Sequence, residues 1–154
     1  MIVAESPPKG GKYFYNPDGD VSEVLFVALM LRLGFTPTSK DEGPREFERR
    51  CWILVDATYE PVNALSDAPR DKVIVRDYPL LRADLKDLLS DRSVPMVLIK
   101  ANVCRILEPK LMADGFNVIN NRVVIPFPSH GQQKKFAELF SAVLKAAGIE
   151  CEAA

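Results

Sequence analysis

The sequence predicts an α/β fold, a mostly parallel sheet covered on both faces by helices. Short apolar runs alternate with amphipathic stretches along all 154 residues. Parallel strands need helical crossovers to return, so this alternation implies that sheet type. A hydrophobic content of 47% is enough for one core in a chain of this size.

Ile2, Val3 and Ala4 read as a short buried strand. In 21–33 the apolar residues Val24, Leu25, Ala28, Leu29, Leu31 and Leu33 form a helical stripe, with Ser22-Glu23 ahead and Gly34 as the stop. Residues 36–50 are polar and broken by Pro37 and Pro44, a loop with room for one short helix. The continuous apolar run 51–55, ending at Asp56, reads as a buried strand. Residues 73–75 read as a short strand or an extended connection, and 80–89 as a helix. After Ser93-Val94-Pro95, residues 96–99 form a third strand. A helix over 103–113 is expected to be interrupted near Pro109 and closed by Gly115. Residues 116–119 and 123–125 read as a hairpin, or as a strand preceded by a turn, around Asn120-Asn121. Residues 132–147 are amphipathic, with Phe136, Leu139, Phe140, Val143 and Leu144 on one face.

Composition excludes several classes. A net charge of −1 argues against attachment to nucleic acid by charge alone, although a local basic patch is compatible with it. Three cysteines without paired spacing read as reduced thiols, with Cys51 and Cys104 in the core and Cys151 in the tail. One histidine and no zinc-ligand spacing give an expectation of no metal and no cofactor. No apolar stretch approaches bilayer length and no signal-peptide pattern opens the chain, so the expectation is a cytoplasmic, monomeric single domain.

In sheets of this kind ligands bind beyond the carboxyl ends of the strands. The segments 5–15, 56–63, 100–102 and 126–133 follow those ends. In the first, Glu5-Ser6-Pro7-Pro8 leads through Gly10-Gly11 to Tyr13-Phe14-Tyr15, a stiff start followed by a backbone able to approach a ligand. Either Ser6 caps the turn and Glu5 is a solvated or salt-bridged carboxylate, or Glu5 is a base or an acceptor that orients a water or a ligand. Asp56 is a loop cap or an acceptor for the N–H groups of a base or sugar. His130, between Pro128-Ser129 and a helix start, is incidental or a functional group beside an anion-binding helix N-terminus. Lys9, Lys12, Lys100, Lys134 and Lys135 are solvated side chains or a positive rim.

These segments, in this order, resemble the uracil-DNA glycosylase superfamily across most of the chain. Ala4-Glu5-Ser6-Pro7 takes the place of the first half of its first motif, Gly-x-x-Pro, and Gly11-Lys12-Tyr13-Phe14 of the second, Gly-x-x-Phe. Glu5 also resembles the glutamate of the thermophilic-type branch, whose motif begins Gly-Glu-Ala-Pro-Gly. Leu54-Val55-Asp56-Ala57 stands where the second strand ends in a base-reading asparagine, and Phe127-Pro128-Ser129-His130 stands at the final His-Pro-Ser-Pro motif. The resemblance implies a three-layer α/β/α sandwich with a four-stranded, mainly parallel central sheet, as one domain over residues 1–154. It also implies hydrolysis of the N-glycosidic bond of a damaged or deaminated base.

By that match Glu5, Ser6 and His130 are the catalytic candidates, and Pro7, Phe14, Asp56 and Ser129 the substrate-binding ones. Phe14 stacks on the base, and Lys9, Lys12 and Lys134 form a phosphate rim. Ser6 replaces a water-activating residue, Phe127 replaces the family histidine, and Gly131 stands in place of the apolar wedge. An ionised aspartate only accepts, so Asp56 suits a base offering N–H donors better than uracil. Without a wedge, the expected partners are single-stranded, mismatched or damaged DNA, or a nucleoside-like ligand. A catalytically silent protein that binds nucleic acid or a nucleotide-like molecule is the alternative.

Overall fold

A computed structural model describes residues 1–10 and 12–151. Gly11, part of the first motif, lies outside them. The elements run β1 (Ile2–Ala4), α1 (Val24–Arg32), α2 (Glu42–Arg49), β2 (Leu54–Asp56), α3 (Asp67–Leu88), β3 (Val97–Leu98), α4 (Ala101–Ala113) and α5 (Gln133–Ala146). The strands form a parallel sheet in the order β2-β1-β3, with Ile2 opposite Leu54 and Val97, and Ala4 opposite Asp56.

Because side chains alternate across a strand, three residues suffice to seed two cores. Ile2 and Ala4 join Val97 and Ile99 in a cluster with Phe26 and Leu29 of α1, Phe47 of α2, and Phe136 and Phe140 of α5. Val3 and Leu98 join a second cluster with Ile74, Leu81 and Leu85 of α3 and Val103, Leu107 and Leu111 of α4.

Several expectations are corrected. Residues 73–75 are not a strand. Val73-Ile74-Val75 has strand propensity, but buried Ile74, Tyr78, Leu81 and Leu85 lie at helical spacing and make one stripe of the long α3. That helix absorbs the one expected over 80–89, and Pro79 lies inside it. Pro109 does not interrupt α4, and α2 occupies the short helical space in the 36–50 loop. Cys51 is exposed at φ +57°, in the turn between α2 and β2; Cys104 is buried as expected.

The fourth strand is the larger correction. Residues 116–119 contribute one parallel bridge, Met96 to Val118, in which the Met96 amide donates to Asn117 O (2.9 Å) and the Ile119 amide to Met96 O (2.9 Å). Beyond it a side chain replaces the backbone partner. The Leu98 amide donates to Asn120 Oδ1 (2.7 Å), and Asn120 Nδ2 donates to Leu98 O (3.0 Å) and Val123 O (3.1 Å). Asn120 is fully buried, and the turn behind it holds Asn121 and Arg122 at positive φ. On the far side of β2, Tyr15 does the same: its hydroxyl donates to Leu54 O (3.0 Å) and accepts from the Leu54 amide (2.7 Å).

Among the described residues no helix is long and apolar enough to cross a membrane.

Candidate functional site at the carboxyl ends of the strands

A cavity of about 580 Å³ opens where β1 and β2 end, within the size range of small-molecule sites. Glu5, Ser6 and Asp56 line it from the strand ends, Lys12 and the aromatics 13–15 from the first loop, Asn63 from the loop after β2, and Lys100 and Phe127 from the later segments. All four segments that follow expected strand ends therefore meet there.

Glu5 is 6% exposed, and its carboxylate is fully engaged. Lys100 Nζ donates to Oε1 (2.5 Å) and Asn102 Nδ2 to Oε2 (2.5 Å), while Arg70 Nε lies 3.8 Å from Oε2. The Glu5 carbonyl accepts from the Thr58 amide (3.0 Å), which fixes the first loop against the second. Arg70 also donates to Val62 O (3.3 Å), Asn63 O (3.2 Å) and Leu65 O (3.0 Å), so it ties the 62–65 loop to Glu5. Lys100 reaches Glu5 from a backbone at φ +85°, a conformation that costs a non-glycine residue of order 1 kcal/mol. Its amide donates to Ile125 O (2.8 Å), which brings the last segment beside β3.

Asp56 is placed differently. It lies on the wall of this cavity and also of a second of about 300 Å³, lined by Pro7, Tyr59, Asp84 and leucines of α3. Among the described residues its carboxylate has no hydrogen-bond or ion-pair partner, and desolvation lifts its pKa to about 6. A carboxyl that titrates near neutral pH on a cavity wall is the pattern of a functional group.

Asp56 has a testable consequence for stability. Because the folded-state pKa is raised above the ordinary carboxylate value, the native protein holds the proton more tightly. Its stability is highest below the unfolded pKa and falls as pH rises from about 4 through about 6. Asp56→Asn removes this cost, so the variant should be the more stable by about 2 kcal/mol at pH 8, with the gap closing by about pH 4. Urea unfolding at several pH values checks this; a gap that does not change with pH overturns it.

The rim is built by a buried lysine. Lys40, with its side chain 1% exposed, pairs with Glu23, donates to Tyr13 O (3.1 Å), and lies 4.9 Å from the centre of the Phe26 ring. Glu23 Oε1 in turn accepts from the Asp20 amide (3.0 Å). This clamp fixes residues 13–23, which supply Tyr13, Asp20, Ser22 and Glu23 to the cavity wall.

The other candidates fall out as follows. Phe14 lines the cavity but is only 6% exposed, its ring packed on Phe47 (4.5 Å between centres), Tyr15 (5.0 Å) and Phe26 (5.5 Å). It forms the apolar floor, and half-exposed Tyr13 is the more accessible ring. Ser6 Oγ lies 3.5 Å from the Val62 amide. His130 does not face Glu5 and Asp56: it is exposed at φ +51°, with Nδ1 3.0 Å from Ser129 Oγ, and neither residue lines the cavity. Gly131 after it is also at positive φ (+81°), and Gln132 is then the N-cap residue of α5. Pro7 lines the smaller cavity, Lys12 the larger one, and Lys9 and Lys134 are exposed outside both, with Lys134 3.9 Å from Glu138. Lys100 is not a free rim cation; it neutralises Glu5.

Comparison with family models, with curated proteins and with solved structures gives no match.

Proposed function

We propose that the cavity binds a nucleobase-bearing ligand, either a nucleoside or a base turned out of single-stranded or damaged DNA, and that Asp56 takes the edge of the base. The observation that carries this is the Asp56 carboxylate, without a hydrogen-bond or ion-pair partner among the described residues, on an aromatic-floored cavity large enough for a nucleoside. The architecture fits the same reading. Helices α1, α2 and α5 share one core with the sheet and α3 and α4 the other, and residues 116–119 add one bridge beside β3, which supports a plan like that of the glycosylases.

Binding without cleavage is the primary reading, because both oxygens of Glu5 already accept charge- or amide-donated hydrogen bonds, from Lys100 and Asn102, which lowers the basicity left for activating water. A second reading, glycosidic hydrolysis, is favoured by one fact: the Glu5 carboxylate, although paired with Lys100, lines the cavity wall, the group that would face an oxocarbenium-like sugar. Labelled oligonucleotides and nucleosides carrying normal, deaminated and alkylated bases separate the two. The expected result is saturable binding with no base release. Release that disappears in Glu5→Gln establishes the second reading, and no binding to any member of the panel overturns both.

A further inference from the structure

We infer that the base held in this cavity is of the guanine class, presenting two adjacent N–H donors to the two oxygens of Asp56. This rests on the reading of the cavity as a base site and specifies its substrate.

The wall carries four acids, and three are already committed. Glu5 is held by Lys100 and Asn102, Glu23 by Lys40 and the Asp20 amide, and Asp20 Oδ1 accepts from the Ser22 amide (2.7 Å). Asp56 alone has both oxygens uncommitted among the described residues. The fold positions it firmly: Asp56 is the last residue of β2, in register with Ala4, and the next amide, Ala57, donates to Ala4 O (2.8 Å). Its wall-mate Tyr15 is fixed by its two bonds to Leu54.

An ionised carboxylate offers acceptors only, and its two oxygens match two parallel N–H groups. The Watson–Crick edge of guanine presents such a pair, the ring N1–H and the exocyclic 2-amino group. Hypoxanthine keeps the first and lacks the second. Uracil and xanthine place a carbonyl on each side of their N–H, and those oxygens would face the carboxylate. Adenine and cytosine set an amino donor beside a ring-nitrogen acceptor, so one oxygen of Asp56 would meet a lone pair. Guanine modified on its imidazole side keeps the required edge. The desolvation already imposed on half-buried Asp56 adds to the discrimination, since a carboxylate left facing an acceptor stays unsatisfied.

The test is a binding titration at pH 8 with guanosine, inosine, adenosine, cytidine, uridine and xanthosine. A second arm uses thymine oligonucleotides carrying one guanine or one hypoxanthine, which separates free nucleosides from bases in DNA. Each is run on the wild-type chain and on Asp56→Asn, whose folding is checked by circular dichroism. The expected result, in either format, is guanine bound roughly tenfold or more tighter than hypoxanthine, the worth of one charge-assisted hydrogen bond. In Asp56→Asn that preference should disappear, because the amide replaces one acceptor with a donor. Equal binding of all bases, preference for another base, or a guanine preference that survives Asp56→Asn overturns the inference and leaves the base-site reading standing. Failure of every nucleoside and oligonucleotide to bind overturns both.

Discussion

Glu5→Leu should destabilise the fold by about 3 kcal/mol or more, the range for removing one partner of a buried ion pair. Three elements meet at the carboxylate: Glu5 directly follows β1, Arg70 reaches it from α3, and Lys100 and Asn102 reach it from the start of α4. Leucine fills much of the space but leaves Lys100 and Arg70, both mostly buried, without the carboxylate they share. Arg70 keeps its three carbonyl partners whereas Lys100 loses its bond to Glu5, so Lys100 bears most of the cost. The double variant Glu5→Leu with Lys100→Met should therefore recover most of the loss. Urea denaturation of the two single variants and the double closes the cycle. A double variant no more stable than Glu5→Leu would mean that Lys100 is not the partner that matters.

Asn120→Ala should cost about as much, for a different reason. The amide makes three bonds to backbone groups, and truncation leaves the Leu98 amide, Leu98 O and Val123 O without it in a fully buried place. Each unsatisfied buried group costs about 1–3 kcal/mol, so a total near 3 kcal/mol is expected even after partial relaxation. Asn120→Asp is the sharper test. It keeps the shape and the acceptor for the Leu98 amide but has no donor for the two carbonyls, so above its pKa it should be no more stable than the alanine variant. Thermal unfolding of the two decides; an aspartate variant of wild-type stability would show that the donor side of Asn120 contributes nothing.

These two residues illustrate what could be read from the chain and what could not. Strand ends were legible: the apolar runs before Glu5, Asp56 and Lys100 locate the mouth of the cavity, because a buried parallel strand has few polar positions until it ends. The individual roles were less legible. Glu5 and Lys100 are 95 positions apart, and their pairing follows only from the strand order. Arg70 has no local signature, since its partners are carbonyls that any sequence supplies. Val73-Ile74-Val75 misleads as a strand because local propensity outweighs a stripe that is visible only when Tyr78, Leu81 and Leu85 are counted with it. His130 misleads because proline spacing suggests direction, while the positive φ values at His130 and Gly131 and the exposure of His130 outside the cavity are a tertiary outcome. Asn120 was legible as a turn residue, its usual use. That its side chain faces inward and takes the place of a strand was not.

Tyr15 and Asn120, on opposite margins of the sheet, have a joint consequence for self-association. The outward amide and carbonyl of Leu54 are occupied by a phenol, and those of Leu98 by a carboxamide. Open strand margins are where sheets recruit strands from other chains, and natural proteins usually block them with charge, proline or a bulge. Here a single side chain on each flank imitates a neighbouring strand, donating and accepting at once, so at both positions the docking points for a foreign strand are already filled.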